Sequence, residues 1–379
     1  MSLDNKKFSW AIGGFLIAYQ VLLLVTLPFY LYFGSPTWGM CGISFVLLYL
    51  TGLSITGGYH RYYSHRSFRT GKFLEVILLF FSTLAGQGSA LRWAFDHRLH
   101  HAHVDTDDDP YSIKKGFWHA HFLWMLKKQR PIDPKVVPDL IQNKYVMFQH
   151  RFYPVLMFGS NLLLFLCVGW LMGDFWGAFF LSWWTRFFLL HHFTWFINSL
   201  AHTWGDKPFC QEQSAVNNYI LAFLTFGEGY HNFHHTFAHD YRNGIRWYHF
   251  DPTKWLIWSL SFFGLATQLR QVDSFTIQKR MVREKKNLLL EQIKTLWYVK
   301  KDEIEAKIHE ISGRIENNIQ AFNQLKEQYV NLKKTTPSCS ELLEELHLEI
   351  KALRKRMRND WKAWKHLCAS LTHLKPIEV

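Results

Sequence analysis

Histidine is the residue type in this sequence best suited to chemistry: the chain has 21 in 379 residues, and 17 of them lie between residues 60 and 249. Nine of these form short groups: His60 and His65; His97, His100 and His101; His202; and His231, His234 and His235. The imidazole ring is a common ligand of iron, zinc, copper and nickel. Nine rings exceed what a single ion can bind, so the sequence predicts two metal ions.

The spacing within each group predicts how its rings would face on a helix. Residues at i, i+3 and i+4 share one face of an α-helix, so each HxxHH motif should present its three rings in one direction. His60 and His65 are five residues apart and would diverge by about 140° on an α-helix. We therefore expect these two to flank the site and to serve different ions. One HxxHH motif alone can be a set of surface histidines, but this combination of motifs favours a metal centre.

Four apolar runs are long enough to cross a bilayer, which takes about 20 residues. The predicted spans are residues 8–33, 37–59, 152–172 and 175–198. The connectors after the first and third spans carry no lysine or arginine, so the positive-inside rule places both termini and residues 60–151 in the cytoplasm. All four histidine groups then lie on the cytoplasmic side. The apolar runs 73–91 and 255–269 are predicted as re-entrant or interfacial helices.

Residues 275–379 differ in composition, with 21 Lys/Arg, 14 Asp/Glu and a net charge of +7. Apolar residues recur at three- and four-residue steps over 304–325 and 343–364, with a turn signal at 335–338, which predicts an antiparallel hairpin. The basic run Lys351–Arg358 would attract anionic headgroups or an acidic electron donor, and a merely solvated extension is an equal alternative. No nucleic-acid recognition motif accompanies this charge.

These patterns predict an all-α integral membrane protein. It would have four transmembrane helices, a cytoplasmic histidine-rich helical cap and a C-terminal helical hairpin. The predicted domains are 1–274, which contains the spans and the histidines, and the charged extension 275–379. The histidines of the extension lack the spacing of the other groups and are not predicted as ligands.

Four segments carry a resemblance to a known family. They are GYHRYYSHRSF at 58–68, WAFDHRLHH at 93–101, NSLAH at 198–202 and GEGYHNFHH at 227–235. Together they resemble the signature motifs of membrane fatty acyl desaturases, most closely those of the delta-9, stearoyl-CoA type. The resemblance covers about residues 10–270 and does not extend to 275–379.

The resemblance implies a centre of two Fe2+ ions held by the nine histidines, with Asn198 acting on one iron through a water molecule. Asp96 and Glu228 adjoin predicted ligands, and we expect their carboxylates to fix imidazole tautomers, with helix capping or solvation as the alternative. Structural or surface roles are expected for seven further histidines: His103, His119, His121, His191, His192, His239 and His249.

The resemblance also implies a reaction, the oxygen-dependent insertion of a cis double bond at carbon 9 of a saturated acyl chain, with O2 as co-substrate. Gln87 and Trp93 match positions near the substrate entrance, with core packing as the alternative. Lys114 and Lys115 match residues that meet the phosphates of CoA, with membrane anchoring as the alternative. Phe95 stands where the family commonly has a basic residue, so acyl-CoA, acyl carrier protein and intact lipid all stay open as acyl carriers.

Electrons would come from a partner such as cytochrome b5, ferredoxin or a reductase, because the sequence has no flavin or haem motif. The expected location is the bacterial inner membrane or the endoplasmic reticulum, as a multi-pass protein in contact with membrane lipid. Two alternatives stay open. One is a membrane di-iron hydroxylase of fatty acids or alkanes, and the other is a non-catalytic metal-binding membrane protein.

Overall fold

The chain folds mainly into helices, with 73% of its residues helical, which agrees with the predicted all-α class. The computed structural model describes residues 8–295, 300–335 and 340–372. The chain divides into two compact units, 1–271 and 272–379, close to the predicted boundary at residue 274. The functions assigned to these two domains stay predictions.

The first unit contains thirteen α-helices among its described residues. They are α1 (Trp10–Gly34), α2 (Trp38–Ser54), α3 (Lys72–Leu84), α4 (Ala90–His103), α5 (Phe117–His121), α6 (Pro138–Ile141), α7 (Lys144–Arg151), α8 (Tyr153–Met172), α9 (Phe175–Gly177), α10 (Arg186–Asn198), α11 (Tyr219–Leu224), α12 (His231–Thr236) and α13 (Pro252–Phe262). Two π-helices, Ile55–Ser64 and Ala178–Thr185, continue α2 and join α9 to α10. Short 3-10 turns span Ile113–Lys115, Leu123–Leu126 and Leu200–His202. The strands β1 (Arg69–Thr70) and β2 (Ala266–Thr267) pair antiparallel.

Three helices in the described part of the chain are long and apolar enough to cross a membrane: Trp10–Gly34, Trp38–Ser64 and Tyr153–Met172. Their outward side chains, such as Trp38 and Val155, are exposed and apolar, as lipid-facing residues are. The predicted fourth span, 175–198, is also helical throughout but is not one of these three candidates. The count of four spans therefore stays a prediction.

Polar side chains of the predicted fourth span face protein. Arg186 is 1% exposed, donates a hydrogen bond to the carbonyl oxygen of Leu84 at 2.9 Å, and also donates to the Oδ1 atom of Asn161. The Nδ1 atom of His191 lies 2.6 Å from the hydroxyl of Tyr19 on α1. These contacts satisfy groups that lipid would leave without partners.

The elements that carry the histidines pack around one apolar core. Ile55 and Tyr59 of the first π-helix and Ala94 and Phe95 of α4 are all fully or nearly buried there. Helix α4 begins after Ser89, whose hydroxyl accepts a hydrogen bond from the backbone N–H of Arg92 at 3.3 Å, a typical N-cap. The core therefore fixes the π-helix and α4 side by side.

The second unit contains three helices in its described residues, whereas the sequence predicted two. They are α14 (Ser274–Lys294), α15 (Lys301–Thr335) and α16 (Ser340–Thr372). Helices α15 and α16 run antiparallel, since Asn318 donates to Asp360 at 2.7 Å while Phe322 packs in a cluster with Ile350. Helix α14 was missed because its apolar residues are interleaved with lysines and arginines, yet Val282 and Leu289 are buried against the other helices. Most of the predicted turn 335–338 lies outside the described residues.

Candidate metal centre

The nine predicted histidines converge into two groups in the first unit. The ligand atoms of each group all lie within 4.8 Å of one another. The first group is His60, His65, His97, His101 and His234, and the second is His100, His202, His231 and His235. The groups adjoin, since the rings of His101 and His235 stack with centroids 4.3 Å apart. None of the seven histidines predicted to have other roles belongs to either group.

His60 and His65 belong to the same group, so the expectation that they serve different ions is wrong. The segment from Ile55 to Ser64 is a π-helix rather than an α-helix, and the backbone N–H of His65 donates to the carbonyl oxygen of His60 at 3.1 Å. Hydrogen bonds in a π-helix join residues five apart, which places such residues on one face. The π-helix thus lets both rings reach one group despite their five-residue spacing.

Each HxxHH motif divides its rings between the two groups, rather than presenting all three to one ion. On α4, His97 and His101 belong to the first group and His100 to the second. On α12, His234 belongs to the first group, while His231 and His235 belong to the second. Three rings on one helical face span an arc wide enough to reach two neighbouring centres.

Four ring nitrogens that point away from the centre have polar partners. The Nδ1 atom of His60 lies 2.9 Å from Glu228, as predicted for this carboxylate, and the Nδ1 atom of His100 lies 2.9 Å from Asp109. The Nδ1 atoms of His97 and His202 lie 3.1 and 2.6 Å from the hydroxyls of Tyr111 and Ser214. A carboxylate that accepts the Nδ1–H leaves the Nε2 lone pair directed at the centre.

The donor set fits bound cations. Burial, together with the neighbouring imidazoles, lowers the pKa of His97, His101, His231, His234 and His235 well below the ordinary value, so these rings are neutral at pH 7. The Nε2 atoms approach closely, at 2.8 Å between His65 and His97 and 3.0 Å between His231 and His235. Neutral imidazoles whose ring nitrogens converge in this way are a donor set that could hold a metal ion. Nitrogen donors of this type suit iron, and they suit zinc equally well.

Glu228 connects the first group to a buried ion network. Its Oε1 atom accepts from Arg61 at 2.8 Å, and Arg61 also donates to Asp251 at 2.9 Å. All three side chains are at most 1% exposed. Burial alone would raise the pKa of Glu228, but His60 and Arg61 outweigh it and lower the pKa to about 2. The carboxylate is therefore ionised at neutral pH and holds the His60 ring in one orientation.

Asp96 does not contact a histidine among the described residues. Its carboxylate pairs with Arg92, one helical turn earlier on α4, at 3.2 Å, and burial raises its pKa to about 6. Asp109, rather than Asp96, makes the carboxylate contact to a histidine ring of α4. Sequence reasoning missed it because it stands in a run of three aspartates after α4, and only the fold shows which of them reaches His100.

A cavity of about 650 Å³ adjoins the first group. His97, Trp93, Gln87 and Asn198 all line it, and the Trp93 ring stacks on that of His97 with centroids 4.9 Å apart. The amide of Gln87 donates to the hydroxyl of Thr194 at 2.8 Å across the lining. The cavity is mainly apolar, with apolar side chains from α1 and α8 on its wall.

The two predicted headgroup lysines do not line this cavity. Lys114 is exposed, while the ammonium group of Lys115 donates to the carbonyl oxygens of Asp107 and Asp109 at 2.6 and 3.2 Å. Lys115 therefore supports the loop that carries Asp109. Further polar side chains at the cavity wall include Arg92, Gln129 and His150.

The fold and the site define a helical protein with membrane-spanning candidates and a buried cluster of nine histidines beside an apolar cavity. The family model for fatty acid desaturases matches residues 36–263, and the chain belongs to this family. The match covers the four histidine groups and ends before the C-terminal unit begins.

Named relatives come from fungi, cyanobacteria and animals. The chain is 45% identical over 250 residues to "Probable acyl-CoA desaturase" of Schizosaccharomyces pombe, which covers 65% of this chain and 52% of that protein. It is 38% identical over 250 residues to "Acyl-CoA desaturase 1" of Saccharomyces cerevisiae, covering 65% and 49%. It is also 35% identical over 240 residues to "sn-1 stearoyl-lipid 9-desaturase" of Anabaena variabilis, covering 62% and 86%. The chain thus spans about half the length of the two yeast proteins that it matches.

Proposed function

We propose that this chain is a di-iron desaturase that introduces a cis double bond at carbon 9 of saturated acyl chains of about 16–18 carbons. In the balanced reaction, O2 takes two hydrogens from the chain, two electrons from a donor and two protons, and leaves as two water molecules. The observation that carries the proposal is the pair of histidine groups beside an apolar cavity that His97 and Asn198 line.

A metal centre is required because the methylene C–H bonds of an alkyl chain have no acid–base route to cleavage. Iron bound by the two groups would activate O2, and this chemistry would make cleavage of the C–H bonds possible. The five-histidine group would hold one ion and the four-histidine group the other, with Asn198 acting on one of them through water.

The chain's own residues contribute orientation and exclusion of water. Glu228 and Asp109 fix the rings of His60 and His100, so their Nε2 atoms point into the centre. Trp93 and the apolar cavity wall would hold the acyl chain against the centre, and they keep bulk water from the reacting carbons.

For the acyl carrier, we propose CoA. Two relatives are named acyl-CoA desaturases, but another is named a stearoyl-lipid 9-desaturase, so the names alone do not distinguish the two carriers. Lys114 and Lys115 do not line the cavity, and a contact between these lysines and the CoA phosphates stays a prediction. Arg92 and Gln129 at the cavity wall are the better candidates to meet a polar headgroup.

We also propose that residues 175–198 form a fourth membrane span and that both termini and the metal centre face the cytoplasm. The membrane would be the bacterial inner membrane or the endoplasmic reticulum. The two electrons would come from cytochrome b5, a ferredoxin or a reductase at this face.

Expression in cells that lack delta-9 desaturation tests the proposal most directly. We expect a new cis-9 monoene in the fatty acid profile measured by gas chromatography and mass spectrometry. A new hydroxy acid without a monoene would indicate the hydroxylase instead. An unchanged profile, from protein that binds metal and is supplied with a competent reductase, would indicate a non-catalytic metal-binding protein.

Assays of purified protein with stearoyl-CoA, stearoyl-acyl carrier protein and a stearoyl lipid would then identify the carrier. We expect turnover with stearoyl-CoA. Charge reversal at Arg92 should raise KM for the CoA ester more than it changes kcat, whereas the same change at exposed Lys114 should leave both unaltered.

A further inference from the structure

Helix α16 of the C-terminal unit carries a stripe of basic side chains. Its members are Lys351, Arg354, Lys355, Arg358, Lys362 and Lys365, and all six are exposed. At 100° per residue they fall within a sector of about 100°, over about 21 Å of helix. No acidic residue interrupts this basic stripe along the sector.

The basic stripe is separate from the face that packs in the bundle. Ile350, Leu353 and Trp364 are buried against α14 and α15 on another side of the helix. Among the described residues, the stripe's side chains form no ion pair with an acidic group. Arg354 and Lys365 lie over the rings of Phe322 and Trp361, at 5.3 and 5.8 Å from the ring centroids. No acidic side chain in the described part of the chain therefore neutralises the charges of the stripe.

From this geometry we infer that the basic stripe of α16 binds the surface of an anionic lipid bilayer. The lysine and arginine side chains of the stripe are long, flexible and arranged in a straight row, and the surface of an anionic bilayer is flat and uniformly negative. Each Lys or Arg near such a surface adds to the attraction. The alternative binding partner for the basic stripe is an acidic protein. A protein interface is usually centred on a buried aromatic or apolar anchor, and the exposed stripe consists only of lysine and arginine.

The membrane is also always within reach. The unit that contains α16 follows directly, at residue 272, a unit with helices long and apolar enough to cross a membrane. Tethering raises the effective concentration of the bilayer, so a modest electrostatic attraction suffices for binding. The extension lies outside residues 36–263, which the family model matches, so the inference concerns a part of the chain beyond the matched domain.

Lysine footprinting of the full-length protein in lipid nanodiscs tests this inference. Nanodiscs of phosphatidylcholine alone are compared with nanodiscs that contain about 30% phosphatidylserine, an anionic lipid. Acetylation by an N-hydroxysuccinimide ester is read at each lysine by mass spectrometry. In anionic discs at low salt, we expect Lys351, Lys355 and Lys365 to react about threefold or more slowly, with full reactivity restored at high salt.

Exposed Lys307 on α15 provides the internal control and should react equally in both discs. The variant R358E/K362E reverses two charges of the basic stripe and should abolish the protection at the remaining lysines. The matched variant K326E/K333E reverses two exposed charges on α15 and should retain it.

Equal labelling of the stripe in the two kinds of disc overturns the inference and would leave an acidic protein as the occupant. Protection that R358E/K362E does not remove would overturn it as well. The measurement needs neither iron nor turnover, so its outcome is independent of the proposed desaturase activity.

Discussion

At the scale of single residues, side chains that belong to neither histidine group contact the rings from outside. The carboxylates of Glu228 and Asp109 each hold the Nδ1 atom of one histidine at 2.9 Å. Both carboxylates are about 1% exposed, so water cannot easily replace them. Partners of this kind commonly affect metal affinity or activity by about 10- to 100-fold.

We therefore expect Asp109→Asn to lower iron content and turnover by about one to two orders of magnitude, because a neutral amide holds the His100 ring less firmly. Iron per chain would be measured by plasma mass spectrometry on protein purified from iron-supplemented cells. Asp96→Asn is the matched control, since Asp96 pairs with Arg92 and not with a histidine. An equal loss of iron in both variants would refute the distinction between the two aspartates.

Alanine substitution of His97, His202 or His235 should abolish turnover while the protein still inserts into the membrane. Each ring belongs to one of the two groups, and its removal leaves an ion with fewer nitrogen ligands. His103→Ala is the control, because His103 ends the same helix as His97 but is exposed and outside both groups. Full activity in any of the three site variants would exclude that residue as a ligand.

At the scale of secondary-structure elements, the π-helix after α2 determines which histidine group His60 and His65 join. It lets residues five apart share a face, so His60 and His65 join one group. The same segment is anchored by Arg61, whose guanidinium group donates to Glu228 and Asp251. The backbone hydrogen bonds of the π-helix and the side-chain hydrogen bonds of Arg61 thus both fix the register of this segment.

Insertion of one alanine between Tyr62 and Tyr63 should therefore remove His65 from the first group. An extra residue changes the direction in which every side chain after it points from the helix. We expect reduced iron content and loss of turnover, measured against Tyr62→Phe, which alters the same place without changing the register. Normal iron content in the insertion variant would show that the segment can shift its register to compensate.

At the scale of the whole molecule, the division at residue 271/272 separates the nine histidines from the helical extension. No histidine of the extension joins either group among the described residues. The first unit also contains the cavity, its lining and the carboxylates that fix the rings.

We expect a chain truncated after Asp273 to fold, to bind iron and to retain some turnover when an artificial electron donor is supplied. Asp273 caps the start of α14, so this cut removes the extension from its first helical residue. Circular dichroism, iron analysis and product analysis together provide the measurement. A folded truncated protein without any iron would show instead that the extension belongs to the catalytic unit.

Much of this protein follows from the sequence because the relevant signals are local. Apolar runs of sufficient length predicted four spans, and three of these runs form helices that are long and apolar enough to cross a membrane, properties that depend on local composition and length. The nine histidines that converge were identified from their motifs and from the family resemblance. The helical character of residues 304–325 and 343–364 followed from their three- and four-residue periodicity.

Only the tertiary structure decided how the nine rings divide between two groups. That division depends on a π-helix, which a residue pattern read with α-helical geometry cannot reveal, and on α4 and α12 each contributing rings to both groups. The partners of the rings were equally inaccessible: Asp109, Tyr111 and Ser214 reach them only through loop paths set by packing. The sequence alone thus shows which residues could be ligands. The distances between their rings are set only when the separate segments that carry them pack around one core.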